Sequence, residues 1–168
     1  MNFPPRGARL GVALLLLGAA QRGPAAELGN TAATNTMSIA DVRQLLRAVP
    51  LIDGHNDVPW QFRKRTNNNI NGIDLRGDTR QLNPPMVTDI PRLRAGGVGG
   101  QFWSVYIPAT LTGSLAVRAV IEQIDVVHQM VAKYPDTFEL ALSANDIERI
   151  HHHGKIASLI GMEGPFDR

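Results

Sequence analysis

The sequence contains no cysteine among its 168 residues. Disulfides, thiolate metal ligands and a thiol nucleophile are therefore excluded. Any metal must be held by histidine and carboxylate, and any nucleophile must be water, serine or threonine. An excess of one charge is missing too. The 17 Lys and Arg against 15 Asp and Glu leave a formal net charge of +2, and aromatics make up only 5%. Nucleic-acid binding asks for a basic stripe interleaved with aromatics, so that class is set aside. Nor is there a long hydrophobic run. The most apolar stretch, LGVALLLLGAA at 10–20, is far short of the ~20 residues that span a bilayer.

That stretch reads as the apolar core of an export signal. Arg6 and Arg9 precede it, and small residues follow, with Gly18 and Ala20 placed for one cut and Ala26 for a later one. The expectation is a signal peptide over 1–26 and an exported protein, periplasmic or extracellular, with no transmembrane span in the mature chain. ELGNTAATNTM (27–37) is small, polar and without period, which predicts a disordered linker. The remainder, 38–168, is enough for one domain and not for two large ones.

Within it, helices and strands alternate. Ser38, with Asp41 three residues on, predicts a capped helix over 39–48 that Pro50 ends. An apolar strand is expected at 51–55 and a long loop, rich in Asn, Gly and Pro, at 63–88. Loops of that length are commonly functional, as lids or rims. A short helix closed by glycines is expected within 89–100, and a strand at 100–107. The clearest helix spans 114–135, with Val120, Ile121, Ile124, Val127 and Val131 on one face. A strand at 138–143, a helix from Asn145 to His153 and a nearly continuous apolar strand at 155–163 complete the order. Such alternation means parallel strands with crossover helices. Both an open doubly wound sheet and the start of a (β/α)8 barrel fit. GGVGG precedes a strand rather than following one, which is the wrong order for a dinucleotide loop and favours the barrel.

Three residues stand out for chemistry. His55 and Asp57, in LIDGHNDVPW, lie at alternate positions at the end of an apolar strand, where the active sites of parallel barrels are built. Imidazole nitrogen and carboxylate oxygen are ligands that zinc accepts without thiolate. Glu163 closes the apolar run ASLIGME, and an ionised carboxylate buried there requires a cation or donors. The His151–His153 run looks like a metal tract, but consecutive helical residues point about 100 degrees apart, so it is read as a solvated helix end. His128 is read as a core-edge residue of the long helix. Trp103 and Tyr106 fit either core or pocket wall.

Taken together, DGHND, LRAGGVGGQFWSVY, EQIDVVHQM and IASLIGMEG resemble the membrane (renal-type) dipeptidase family of zinc hydrolases over about residues 49–164. The resemblance implies an eight-stranded α/β barrel, with His55 and Asp57 on a first zinc and Glu163 bridging two. It also implies a hydroxide held between the ions that attacks the peptide carbonyl of a dipeptide. Members accept L- or D-residues at the C-terminal position, some open β-lactam rings, and they are often homodimers, although no interface is readable here. The pattern departs after Gly164, at EGPFDR, where the family continues with a Gly-His pair. Its remaining zinc ligands, a substrate-binding histidine and a proton-handling aspartate have no counterpart in this sequence, so no catalytic residue is assigned. A closed barrel takes about 250 residues. The expectation is therefore the N-terminal portion of a truncated TIM-type (β/α)8 barrel, inactive and poorly folded alone. Two other readings compete. One is a different metal-dependent amidohydrolase-type barrel hydrolase, although that superfamily more often carries H-x-H on its first strand. The other is a non-catalytic exported module that binds metal or peptide.

Overall fold

The computed structural model describes residues 37–164. The expected signal peptide at 1–26, almost all of the linker at 27–37, and the terminal PFDR lie outside the described residues. The elements are α1 (Ile39–Ala48), β1 (Leu51–Asn56), α2 (Val58–Thr66), α3 (Ile90–Ala95), β2 (Val98–Tyr106), α4 (Gly113–Lys133), β3 (Phe138–Leu140), α5 (Ala144–His152) and β4 (Ile156–Glu163). All strand pairs are parallel, and the order across the sheet is β1-β2-β4-β3. The parallel α/β expectation holds.

Helix α1 is capped as its sequence dictates. Ser38 Oγ accepts from the Asp41 amide while the Asp41 carboxylate accepts from the Ser38 amide. Helix α2 begins where no helix was expected and runs into the start of the expected loop at 63–88. Pro59 sits in the first turn of a helix, where its missing N–H costs nothing and its fixed φ suits the geometry. The polar run QFRKRT hid the helix, because Phe62 alone in that run is fully buried. Strand β1, expected as an apolar strand, pairs with β2 only among the described residues, and Leu51 and Ile52 are each more than two-fifths exposed. Strand β3 is shorter than expected. It covers β4 only from Ile156 to Ser158, so Leu159–Glu163 has β2 alone as a strand partner.

The core lies between the sheet and the helices α2 and α4. Trp103, Val105 and Ile107 point into it and meet Phe62, Val126, Val127, Met130 and Phe138. Trp103 packs edge-on against Phe138, with ring centroids 5.5 Å apart. The buried face of α4 is rotated from the expected one. Ala119, Val120, Gln123, Val126, Val127 and Met130 are buried, whereas Ile121 faces solvent. Helix α5 is capped by Ser143 and starts at Ala144, one residue before the expected Asn145.

The stretch between α2 and α3 is no loose loop. Ile73, Leu75 and Met86 enter the core. The buried Tyr134 hydroxyl accepts from the Leu75 amide at 2.9 Å, and burial pushes that phenol's pKa up. At the far end of the stretch, Asp89 is buried, caps α3 through the Arg92 amide, accepts from the Thr79 amide and pairs with the Arg92 guanidinium at 2.7 Å. Burial alone would raise the Asp89 carboxyl. The hydrogen bonds from Arg92 and Thr79 outweigh it and hold the pKa below the ordinary carboxylate value.

Candidate metal centre

The C-terminal ends of β1 and β4 bring His55, Asp57 and Glu163 together, and one ligand atom from each lies within 4.8 Å of the others. His55 Nε2 stands 3.2 Å from Asp57 Oδ1 and 3.4 Å from Glu163 Oε2. A ring nitrogen carries at most one proton, so it cannot satisfy both carboxylates by donating. Two anionic oxygens facing one imidazole nitrogen are better matched by a shared cation. The side chains are 57%, 53% and 47% exposed, so the cluster is open to an incoming ion. As ion pairs at that exposure they would contribute little to stability.

The convergence does not arise from simple strand alternation. The β1–β2 register shifts between Asp53 and Asn56, and Asp57 has already left the strand as the N-cap residue of α2. An N-cap aspartate ordinarily accepts a hydrogen bond from its own helix, but the Asp57 side chain makes no such bond. Its carboxylate faces His55 instead. Glu163 is held from β2. Ser104 pairs in register with Gly161, which has no side chain, and the Ser104 hydroxyl donates to Glu163 Oε2 at 2.8 Å. Sequence reasoning missed Ser104, because only the β2–β4 register reveals it. Behind the site, Asn56 donates to Thr88 Oγ1 and to Oε1 of the fully buried Gln101. A cavity of about 280 Å³ opens beside the ligands, walled by Asp53, His55, Asn56, Asp57 and Val58 and by Met86, Val87 and Thr88 from the stretch before α3.

The other candidates fall elsewhere. Trp103 is core. Tyr106 packs edge-on against Trp60, with centroids 4.9 Å apart, in register with Glu163. His128 is exposed rather than at the core edge. His152 and His153 are solvated as expected, but His151 is half-buried, and its Nε2 has no hydrogen-bond partner among the described residues. Its ring packs where Gly99 has no side chain, and a Cβ there would lie 2.7 Å from His151 Nδ1. Among the described residues, His55, Asp57 and Glu163 are the one group of three or more with metal-ligand spacing.

A donor set of imidazole and carboxylates at the C-terminal ends of parallel strands is one that could hold a metal ion. A model of the membrane dipeptidase family (peptidase family M19) matches residues 39–166, and the chain belongs to that family. It is 47% identical over 130 residues to the dipeptidase ataJ of Aspergillus terreus, covering 73% of this chain and 30% of that protein. It is 42% identical over 120 residues to mouse dipeptidase 3, covering 71% of this chain and 22% of the relative. Among solved structures, a metallopeptidase from Rhodobacter sphaeroides bound to a phosphinate mimic of L-Ala-D-Ala superposes with a TM-score of 0.55 at 21% identity. That match covers 70% of this chain and 38% of the other. A structure described as dipeptidase AC, a metallopeptidase, gives 0.53 at 25% identity, covering 70% and 36%. These matches agree with the barrel-type fold. The chain spans about a third or less of the length of the curated relatives it matches.

Proposed function

We propose that the His55–Asp57–Glu163 cluster is part of a zinc centre that hydrolyses dipeptides. The observation that carries this reading is the approach of both carboxylates to the single Nε2 of His55, in a chain of the membrane dipeptidase family. The donor set fits zinc: one nitrogen, carboxylate oxygens and no sulfur. A zinc ion supplies a nucleophilic water near neutral pH and polarises a carbonyl. His55 and Asp57 would hold a first ion, and Glu163, hydrogen-bonded by Ser104, would be a further ligand that the family resemblance implies is shared with a second ion. Met86, Val87 and Thr88 wall the approach beside the ligands and would bound a small substrate such as a dipeptide.

Three ligands make up only part of a two-ion site, so the 168-residue chain alone is expected not to turn over. In this reading the protein acts outside the cytoplasm, as the Arg-flanked apolar run at 10–20 suggests.

The test supplies the zinc-loaded chain with Ala-Ala, alone and together with the C-terminal two-thirds of a family relative. Zinc-dependent hydrolysis in the mixture, lost with His55→Ala, is expected. Hydrolysis in the mixture that is indifferent to His55→Ala, Asp57→Ala and Glu163→Ala would refute the reading.

A further inference from the structure

We infer that Asn56 is a positioning residue for the metal centre, fixing the turn between its two neighbours His55 and Asp57, while Pro59 removes one of the amides that the Asp57 carboxylate could cap. This rests on the metal reading of the site.

Asp57 is the N-cap residue of α2, and aspartate at that position normally bonds the amides two or three residues on. Such a bond would turn the carboxylate toward the helix and away from His55. One feature of the chain acts against it. Pro59 occupies the position two residues after Asp57 and has no N–H, which leaves only the Trp60 amide as a capping target. Asn56, meanwhile, fixes the turn that carries Asp57, because Asn56 Oδ1 accepts from the Val58 N–H at 3.1 Å.

The other end of the same side chain fixes the backbone between the two ligands. Asn56 Nδ2 donates to Thr88 Oγ1 at 3.2 Å and to Gln101 Oε1 at 3.3 Å. The direction of that second bond is set by Gln101 itself. Its Nε2 donates to the backbone carbonyls of Asp53 and Phe102, so its oxygen is the end left for Asn56. Asn56 thus points away from the cluster while its two neighbours in sequence point into it. An amide serves here because it offers an acceptor to the helix and donors to Thr88 and Gln101 at once. Serine would retain the acceptor without the donor arm, and alanine would retain neither.

The experiment titrates the metal-free full chain with Co2+ alone and follows the visible absorption of the bound ion, with a thermal melt of each metal-free variant as a folding control. Asn56→Ala is expected to weaken Co2+ binding at least tenfold and to change the band shape as Asp57 leaves the ion. Asn56→Ser, which keeps a cap for the Val58 amide, is expected to stay within threefold of the unmodified chain. Pro59→Ala restores an amide that Asp57 can cap and is expected to weaken binding threefold or more, so the inference is tested even if Asn56→Ala does not fold. Unchanged binding in Asn56→Ala and Pro59→Ala, or Asn56→Ser as weak as Asn56→Ala, overturns the inference while the metal reading stands. No His55-dependent Co2+ spectrum in the unmodified chain overturns both.

Discussion

The Ser104 hydroxyl donates a 2.8 Å hydrogen bond to Glu163 Oε2 across the β2–β4 pair, where Ser104 is in register with Gly161. A carboxylate at a strand end has several rotamers, and this bond selects the one that faces His55. Groups that orient metal ligands typically contribute 10- to 100-fold in affinity.

Ser104→Ala is therefore expected to weaken zinc binding by roughly tenfold. It should cost only about 1 kcal/mol of fold stability, the usual contribution of one hydrogen bond. Competition with a chromogenic chelator measures the first, and denaturant unfolding of the metal-free chain the second. An affinity unchanged by the substitution would mean that Glu163 is oriented by other contacts.

Asp89 carries a prediction about acid. Its pKa is held below the ordinary carboxylate value in the fold. It therefore contributes stability that is fully present above the unfolded value, near pH 4, and lost as pH falls through the lower folded value. Asp89→Asn should flatten the acid limb of the stability curve below about pH 4. Asp89→Ala leaves the Arg92 guanidinium and the Thr79 amide without their partner and is expected to cost about 3–5 kcal/mol. Urea unfolding across pH 2–7 tests both, and parallel acid limbs for the unmodified chain and Asp89→Asn would contradict the assignment.

Gly99 marks a close approach of backbone to side chain. A Cβ there would meet Pro50 and the His151 ring at under 3 Å. Gly99→Val should lower stability by about 1–3 kcal/mol, as overpacking does. His151→Ala in the same background should recover part of that loss, and the pair form a double-mutant cycle. Simple additivity of the two changes would show that they do not share the space.

Among the described residues, Trp103 is the largest fully buried side chain, and its indole N–H finds no hydrogen-bond partner there. Trp103→Ala is expected to cost about 3–5 kcal/mol through the cavity it leaves. Trp103→Phe removes the unpaired donor along with part of the volume and should cost clearly less. Equal losses would mean that the indole N–H is satisfied in solution.

Much of this could be read from the sequence where local rules decide. Ser38 and Asp41 specify a capping box, and α1 runs over the expected residues. The apolar run before Glu163 specifies a strand that ends at a carboxylate. The clustering of His55, Asp57 and Glu163 was legible because each sits at or just past a strand end. What escaped depends on register and tertiary contact. Strand alternation was the wrong reason for His55 and Asp57 to converge, since a bulged register and a helix start place them. Ser104 and Asn56 look like ordinary strand residues until β2 is aligned with β4 and with β1. Helix α2 was obscured because its charged last turn, Arg63–Arg65, outweighs a short apolar face. The face of α4 was misjudged because the pattern offers Ile121 and Val120 alike, and only packing on the sheet chooses Val120.

The most direct test of the account is a zinc titration of the metal-free 168-residue chain by calorimetry, beside His55→Ala, Asp57→Ala and Glu163→Ala. The account predicts saturable binding in the unmodified chain that each substitution weakens at least tenfold. Zinc binding of equal strength in all four chains would place the metal elsewhere and contradict the assignment of the site.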